Sequence, residues 1–429
     1  MTPTTDAIIV GGGIVGCFAA YRLASEGVGV LLLDRAEVGG GQSGQNWGFV
    51  RRQGRDPIEL PLAEASLRVW RGLEEETGSS IQWVPGGNIR VAATQQQLAD
   101  YQSWLVEARG SEFGARIIDG QELDALLPQM KVRWPGALYT PDDGHVEPRQ
   151  ATEAVAAAAT RAGAKIETGT TVIGFLRTGE HIVGVRTTRG DISSGTVVCA
   201  AGIWSSRLLR TIGLKLPIRW VRATVASTTP VPPLTDLGVW TPDVSFRQRR
   251  DGSLLLGGGG GYDHDITLES IRFLSLFLPN YAKNRRLFRF RFGAAFFEEL
   301  ALRFPIPRRR WPYDWRRAAE PPANSSRVAV SQRGLVRLFP ELAGRFDISK
   351  SWAGYIDATP DALPVIAPVR SYPGLIAATG FSGHGFALGP GAGQVVSDMV
   401  LNRPPSIDVS ALGFERFGGG SRIRARAVT

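Results

Sequence analysis

Two periods organise the apolar positions of this chain, one close to 3.6 residues and one of two. Residues 6–10 (DAIIV) form a short apolar run that stops at Gly11. Residues 14–26 read as a helix of small and apolar residues, and 28–34 (VGVLLLD) as a buried strand that ends on an acid. This is a strand–helix–strand unit with a glycine turn. Helical spacing returns over 57–76, where Leu60, Leu62, Leu67, Val69, Trp70 and Leu73 supply the apolar faces. An alanine-rich helix is predicted over 148–162, leading to short strands at 165–167, 183–187 and 197–200. From 216 to 260 the pattern alternates as strands do, with Asp251–Gly252 the expected hairpin turn. Residues 262–325 break this regularity with aromatics, leucines, prolines and arginines, and read as an insertion. A helical stretch follows from 328 to 340, and residues 352–401 supply strands, a glycine loop and a closing helix. The last residues, GGGSRIRARAVT, have no apolar periodicity and are expected to be disordered. No internal repeat is visible.

Composition narrows the class. The 43% hydrophobic and 21% charged content is that of a folded soluble protein, and 429 residues are too many for one simple core. Two cysteines, Cys17 and Cys199, leave no disulfide framework and imply a reducing, cytoplasmic setting. Neither they nor the four histidines have metal-ligand spacing, so no metal is expected. The N-terminus lacks the pattern of a signal peptide, and no window holds eighteen uninterrupted apolar residues. The net charge of +9 is local: between Lys283 and Arg317 eleven basic residues face three acidic ones, a surplus of eight. A cationic device at one place is implied, and nucleic-acid binding is not.

The turn Gly11-Gly12-Gly13-Ile14-Val15-Gly16 satisfies G-x-G-x-x-G between a strand and a helix. Gly11 permits the tight turn, Gly13 lets backbone approach a pyrophosphate, and Gly16 allows close helix–strand packing. Asp34, with Arg35 beside it, ends the second strand where a ribose would present its hydroxyls. Three further stretches point to FAD and not NAD. Gly39-Gly40-Gly41-Gln42-Ser43-Gly44 offers more backbone donors, 197–204 (VVCAAGIW) enters a small-residue turn, and Thr379-Gly380-Phe381-Ser382-Gly383-His384-Gly385-Phe386 opens a second helix.

On these segments, over residues 6–54, 140–210 and 345–402, the chain resembles the D-amino-acid-oxidase-type flavoprotein superfamily. The resemblance implies an α/β fold in which a Rossmann-like FAD-binding domain (1–85, 146–215 and 326–415) is interleaved with an α+β substrate domain. That second domain, 86–145 and 216–325, would be built on a mostly antiparallel sheet and carry the basic-aromatic insertion at about 262–325, with a disordered tail at 416–429. The resemblance also implies that Gly11, Gly13, Gly16, Asp34, Arg35, Gly41, Gln42, Ser43, Val172, Gly202, Gly380, Gly383, His384, Gly385 and Phe386 lie on or near FAD.

Departures from the family pattern carry information too. Its oxidases often clamp the substrate carboxylate with an arginine where this chain has Ile356, in Gly354-Tyr355-Ile356-Asp357-Ala358-Thr359-Pro360-Asp361. Its sarcosine-oxidase branch has a lysine where Ala387 stands, and a flavin-linked cysteine that is absent here, so FAD is expected to be non-covalent. The insertion, together with the lost arginine, is similar to bacterial membrane-associated L-amino-acid deaminases. That likeness makes Arg289, or Arg291, the carboxylate ligand; Arg51 and Arg52, just after the flavin loop, are further candidates. Alternating Phe and Arg over 288–292 reads equally as a half-buried strand with a polar face.

The expected chemistry is oxidative deamination of an amino acid: hydride leaves the α-carbon for flavin, and the imine hydrolyses to a keto acid and ammonia. Trp352, Tyr355, Phe49 and Trp47 are candidate pocket walls, favouring bulky apolar or aromatic substrates. The run 271–278 (IRFLSLFL) beside the arginine cluster suggests docking on an anionic membrane at the inner face of the cell membrane, with a membrane quinone as electron acceptor; otherwise oxygen would serve. A core helix beside a solvated basic face is the alternative. Two rival functions stay open: a secondary-amine oxidase or dehydrogenase for N-methyl or cyclic amino acids, and a flavin-binding subunit of a larger complex.

Overall fold

A computed structural model describes residues 4–108, 114–258, 261–285, 288–293, 296–297, 300 and 321–418. The first apolar run becomes the strand Thr4–Val10, whose last four residues are buried. It pairs in parallel with Val30–Leu33 on one side and Gly190–Cys199 on the other. Lys165–Glu167 and Leu375–Thr379 extend the parallel sheet, and antiparallel strands complete its eight members. The uninterrupted VLLL of Val30–Leu33 suits a strand covered on both faces. On one face lie the helices Ile14–Ser25, Pro148–Arg161, Leu60–Thr77 and Gly385–Val400. Small residues let them approach: Gly393 leaves no room for a Cβ beside Phe18. Trp70 is fully buried between Phe18 and Phe386 and donates its indole N–H to the Ala387 carbonyl at 2.9 Å.

A second sheet of ten strands stands beside the first, antiparallel except where Gly238–Trp240 meets Asn88–Ala92 and Tyr262–Asp265 meets Phe288–Arg291. Its backbone is the long pair Arg219–Thr228 and Ile348–Ala358, with Arg219 opposite Ala358 and Val221 opposite Ile356. Ser245–Gln248 and Leu254–Gly257 form the hairpin expected around Asp251–Gly252; Gly252 has φ +83, which glycine takes without strain.

Two boundaries differ from the sequence expectation. The insertion does not abandon the sheet at 262, because Tyr262–Asp265 pairs with the Arg219–Thr228 strand and Phe288–Arg291 adds an edge. Between those strands the helices Leu268–Arg272 and Leu274–Asn284 cover the sheet end. The tail begins later than 416: Phe414–Phe417 is a 3-10 turn, and Arg416 donates to Asp361 at 2.8 Å. Charge pairing, which apolar periodicity cannot register, holds this piece. Residues 419–429 and the arginines 303, 308–310, 316 and 317 lie outside the described residues.

Candidate active site

The two sheets share a cavity of about 450 Å³, walled by the loops that join their elements. Gly11 leaves the first strand with φ +117, and a Cβ there would strike the Ala200 carbonyl. A Cβ on Gly16 would strike the Gly11 carbonyl, so Gly16 serves the turn from behind and does not itself line the cavity. Gly13 caps Ile14–Ser25 without a side chain, which brings the first-turn amides to the cavity edge; the Ile14 N–H donates to Ser43 Oγ at 2.9 Å.

Asp34 accepts the Gly12 N–H at 2.6 Å and the Ala36 N–H at 2.7 Å, yet burial pushes its carboxyl above the usual range. Arg35 and Arg207 stack on Trp204, with guanidinium carbons 4.4 and 5.1 Å from the ring centre. Arg35 Nη1 and Thr170 Oγ1 are buried without a hydrogen-bond partner, and both residues line the cavity with Val172.

Gln42 locks the opposite wall. Its carbonyl accepts the Ile203 N–H at 2.9 Å, and its amide donates to Asp357 at 3.0 Å. Gly202, at φ +51, leaves the space that the Gln42 side chain fills. Asp357, fully buried, also accepts the Gly380 and Phe381 N–H groups at 2.8 and 3.3 Å, and burial holds its carboxyl above the usual range. It ties the 379–385 loop to the Ile348–Ala358 strand. Within that loop Ser382 takes φ +54, a left-handed conformation uncommon for a residue with a Cβ, steadied by a 3.1 Å bond from the Thr359 N–H.

His384 ends the loop at the start of the Gly385–Val400 helix. Its Nδ1 stands 3.0 Å from both oxygens of buried Glu59, so Nδ1 carries the proton that the carboxylate accepts. Burial, aided by Arg55 and Arg51, lowers the pKa of the ring despite Glu59. Arg55 is itself buried on the cavity wall, with its Nη1 lacking an acceptor.

The sequence candidates fall into two groups. Gly11, Gly13, Asp34, Arg35, Gly41, Gln42, Ser43, Val172, Gly202, Gly383, His384, Gly385, Phe386, Tyr355 and Arg51 line the cavity. Gly380 shapes its loop from behind, at φ +70. Arg52 turns away to buried Asp143, 3.3 Å from Nε, and Trp352 donates its indole N–H to the Gln45 carbonyl at 2.9 Å, bracing the loop that carries Trp47. Arg289 is exposed on the edge strand Phe288–Arg291, and Arg291 reaches back to Asp263 at 3.1 Å; neither lines the cavity. Side chains alternate along that strand, and its Phe288 takes the inner position.

Sequence reasoning missed Arg55, Glu59, Arg219 and Asp357. Asp357 stood in the stretch searched for an arginine. The pairing of Glu59 with His384 spans 325 residues and leaves no local pattern. Trp47, Phe49, Trp240, Tyr262 and Phe288 make one end of the cavity aromatic, with the Arg51 guanidinium carbon 4.5 Å over the Trp240 ring. Burial, reinforced by Arg55 and Arg90, lowers the Arg51 pKa. An anion beside it would relieve that repulsion.

This chain's residues fit FAD. The glycine turn and the open backbone at Gly41, with nothing within 4 Å of a Cβ position, suit a pyrophosphate, and the orphaned donors at Arg35 and Thr170 lie beside Asp34 where an adenosine belongs. Gly383 to Phe386 lines the cavity at the start of a second helix, where a ring system would fit. Comparison with known proteins agrees. The profile of the FAD dependent oxidoreductase (DAO) family matches residues 6–399. The L-amino acid deaminase of Proteus myxofaciens, solved in complex with anthranilate, superposes with a TM-score of 0.91 at 28% identity, over 98% of this chain and 95% of that one. The glycine oxidase of Pseudomonas aeruginosa is 25% identical over 414 residues, 94% of this chain and 96% of that protein. The mitochondrial sarcosine dehydrogenase of Mus musculus is 26% identical over 423 residues, 96% of this chain but 41% of that protein. The chain thus spans less than half the length of the mitochondrial dehydrogenases it matches.

Proposed function

Because the chain belongs to the FAD dependent oxidoreductase family, we propose that it oxidatively deaminates an amino acid to a keto acid and ammonia. The observation that carries this reading is the convergence, in one cavity, of the glycine turn, the Gly383–Phe386 helix start and buried Arg51. FAD, when bound, supplies the acceptor for the hydride that leaves the amine-bearing carbon.

The chain's own residues bind, orient and exclude water. Arg51, whose Nη1 donates to the Gln53 carbonyl at 2.5 Å and whose guanidinium lies over the Trp240 ring, is the cation we assign to the α-carboxylate, and such a charge-assisted contact fixes the substrate's place. The aromatic walls keep water from the amine-bearing carbon, and a drier site strengthens the Arg51 contact. Glu59 holds His384 in one tautomer, so the ring presents Nε2 as an acceptor at the helix start. Ile356 leaves space on the sheet where the family's oxidases often carry an arginine. The substrate carbon then needs no acid–base side chain once its amine is neutral. Product analysis tests this reading against N-dealkylation. Stoichiometric keto acid and ammonia support it, whereas aldehyde release from N-methyl amino acids, with primary amino acids inert, replaces it with the secondary-amine reading.

The segment from 271 to 297 carries exposed Ile271, Leu274, Leu278, Phe290, Phe292 and Phe297 and exposed Lys283, Arg285 and Arg289. No helix among the described residues is long and apolar enough to cross a membrane. Exposed apolar side chains interspersed with cations along one segment suit docking on an anionic lipid surface, where a membrane quinone would take the electrons; anaerobic turnover with a soluble quinone, and slow oxygen consumption, is the expected result.

A further inference from the structure

We propose that Arg219, with Phe277 and Tyr281, forms a second anion subsite in the cavity, selecting a substrate with an acidic group in addition to its α-carboxylate. This rests on the amino-acid reading above and deepens it. Arg219 opens the Arg219–Thr228 strand and is 3% exposed, yet it lines the cavity. Its guanidinium carbon lies 4.1 Å from the Phe277 ring centre and 4.7 Å from that of Tyr281. Aromatic faces on a guanidinium hold its plane fixed and leave its hydrogen-bonding edge available.

That edge is incompletely used. Nη2 donates to the Ser270 carbonyl at 2.7 Å, Nε is buried without an acceptor, and no carboxylate pairs with the group among the described residues. The nearby side chain of His264 brings no counter-charge either; burial and Arg219 itself hold its pKa down to about 3, so the ring stays neutral and adds no second cation. A buried cation without a counter-charge is costly, and a ligand anion at this edge removes the cost.

The register separates this subsite from the one at Arg51. Arg219, Val221 and Ala223 share one face of the strand and line the cavity. Val221 pairs with His264, which puts Tyr262 level with Ala223, and Arg51 is close enough to Tyr262 to influence its hydroxyl. The two cations therefore belong to opposite ends of five strand residues, four steps or about 13 Å of backbone. One α-carboxylate neutralises one of them; a dicarboxylic amino acid addresses both. Arg219 also stands diagonal, on the same face, to Ile356, the position where an arginine is missing.

Two unreactive five-carbon acids, glutarate with two carboxylates and pentanoate with one, test this by titration calorimetry on the FAD-loaded protein. Wild type should favour glutarate by about tenfold or more, and Arg219→Gln should bring that ratio to within about twofold. Arg219→Lys should keep part of it, and decides the case if Arg219→Gln does not fold. Equal binding of the two acids by wild type, or a glutarate preference that survives both substitutions, overturns the proposal. Anaerobic reduction by each enantiomer of glutamate and norvaline runs in parallel. If no amino acid reduces the flavin, the deamination reading fails, while the calorimetric ratio still decides on Arg219.

Discussion

Replacing Asp263 with alanine should loosen the wall of the cavity at a calculable cost. Its carboxylate, with no exposure, accepts Arg327 Nε and Nη2, each at 3.1 Å, Arg291 Nε at 3.1 Å and Asn324 Nδ2 at 2.9 Å. One side chain thus joins the strand Tyr262–Asp265, the edge strand and the helix Ser325–Leu338. Arg291 is half exposed, and water replaces its bond at little cost. Arg327 is 4% exposed, and burying it without this carboxylate costs about 3–5 kcal/mol. The donors hold the Asp263 pKa down to about 2, against 3.8, which amounts to about 2 kcal/mol for the charge alone. Asp263→Asn should lose that smaller amount, since an amide can still accept from Arg327. For 429 residues the unfolding entropy is about 0.9 kcal/mol per degree, so Asp263→Ala should lower Tm by about 4 °C and Asp263→Asn by about 2 °C. The pH dependence has a definite sign. A carboxyl whose pKa falls on folding stabilises above 3.8 and loses that contribution as pH falls toward 2; both variants should lack this loss. Thermal melts at saturating FAD, with a pH series, measure both effects. A melt of Asp263→Ala within about 1 °C of wild type would refute the reasoning.

Other substitutions probe other links. Gly11→Ala combines a strained φ with a clash at the Ala200 carbonyl, so purified variant should carry less than about a tenth of the wild-type FAD; normal flavin content would disprove the cradle. Arg51→Gln should raise substrate KM by about 10- to 100-fold, and Arg289→Gln by less than about twofold, because of these two arginines Arg51 alone lines the cavity; steady-state kinetics showing the reverse would return the carboxylate to the edge strand. His145 and His264 are buried, with pKa held to about 3 against 6.5. They stabilise above 6.5, and the fold weakens toward acid because the unfolded chain binds a proton at each, these two together contributing up to about 2.7 kcal/mol per pH unit. Urea unfolding between pH 6.5 and 5 should show stability falling with pH, with a slope smaller by up to about 1.4 kcal/mol per pH unit in His145→Gln. Changing Ile271 and Leu278 to glutamate should abolish salt-sensitive sedimentation with anionic vesicles; unchanged sedimentation would end the docking idea.

Local chemistry made the cofactor side of this molecule legible. A glycine turn between two apolar strands, an acid closing the second, and a glycine loop opening a late helix are contiguous patterns, each fixed by backbone needs that few residues meet. The substrate side resisted for the opposite reason. Arg289 and Arg51 look alike in a sequence, and strand register decides which of them is inside: Phe288 takes the inner place beside Tyr262 and sends Arg289 outward. Arg219 drew no notice because its meaning lies in Phe277 and Tyr281, some sixty residues later. The Glu59–His384 pair joins helix starts at opposite ends of the chain. The insertion hid its strands because Tyr262–Asp265 and Phe288–Arg291 are polar and aromatic by turns, and their pairing is tertiary.

Anaerobic titration of the flavin's visible absorbance with a panel of D- and L-amino acids tests the central claim most directly. The account predicts a yellow protein whose absorbance is bleached by at least one of these acids, with one equivalent each of keto acid and ammonia per flavin reduced. Folded protein that stays colourless in excess FAD, or yellow protein that no amino acid bleaches, would contradict it.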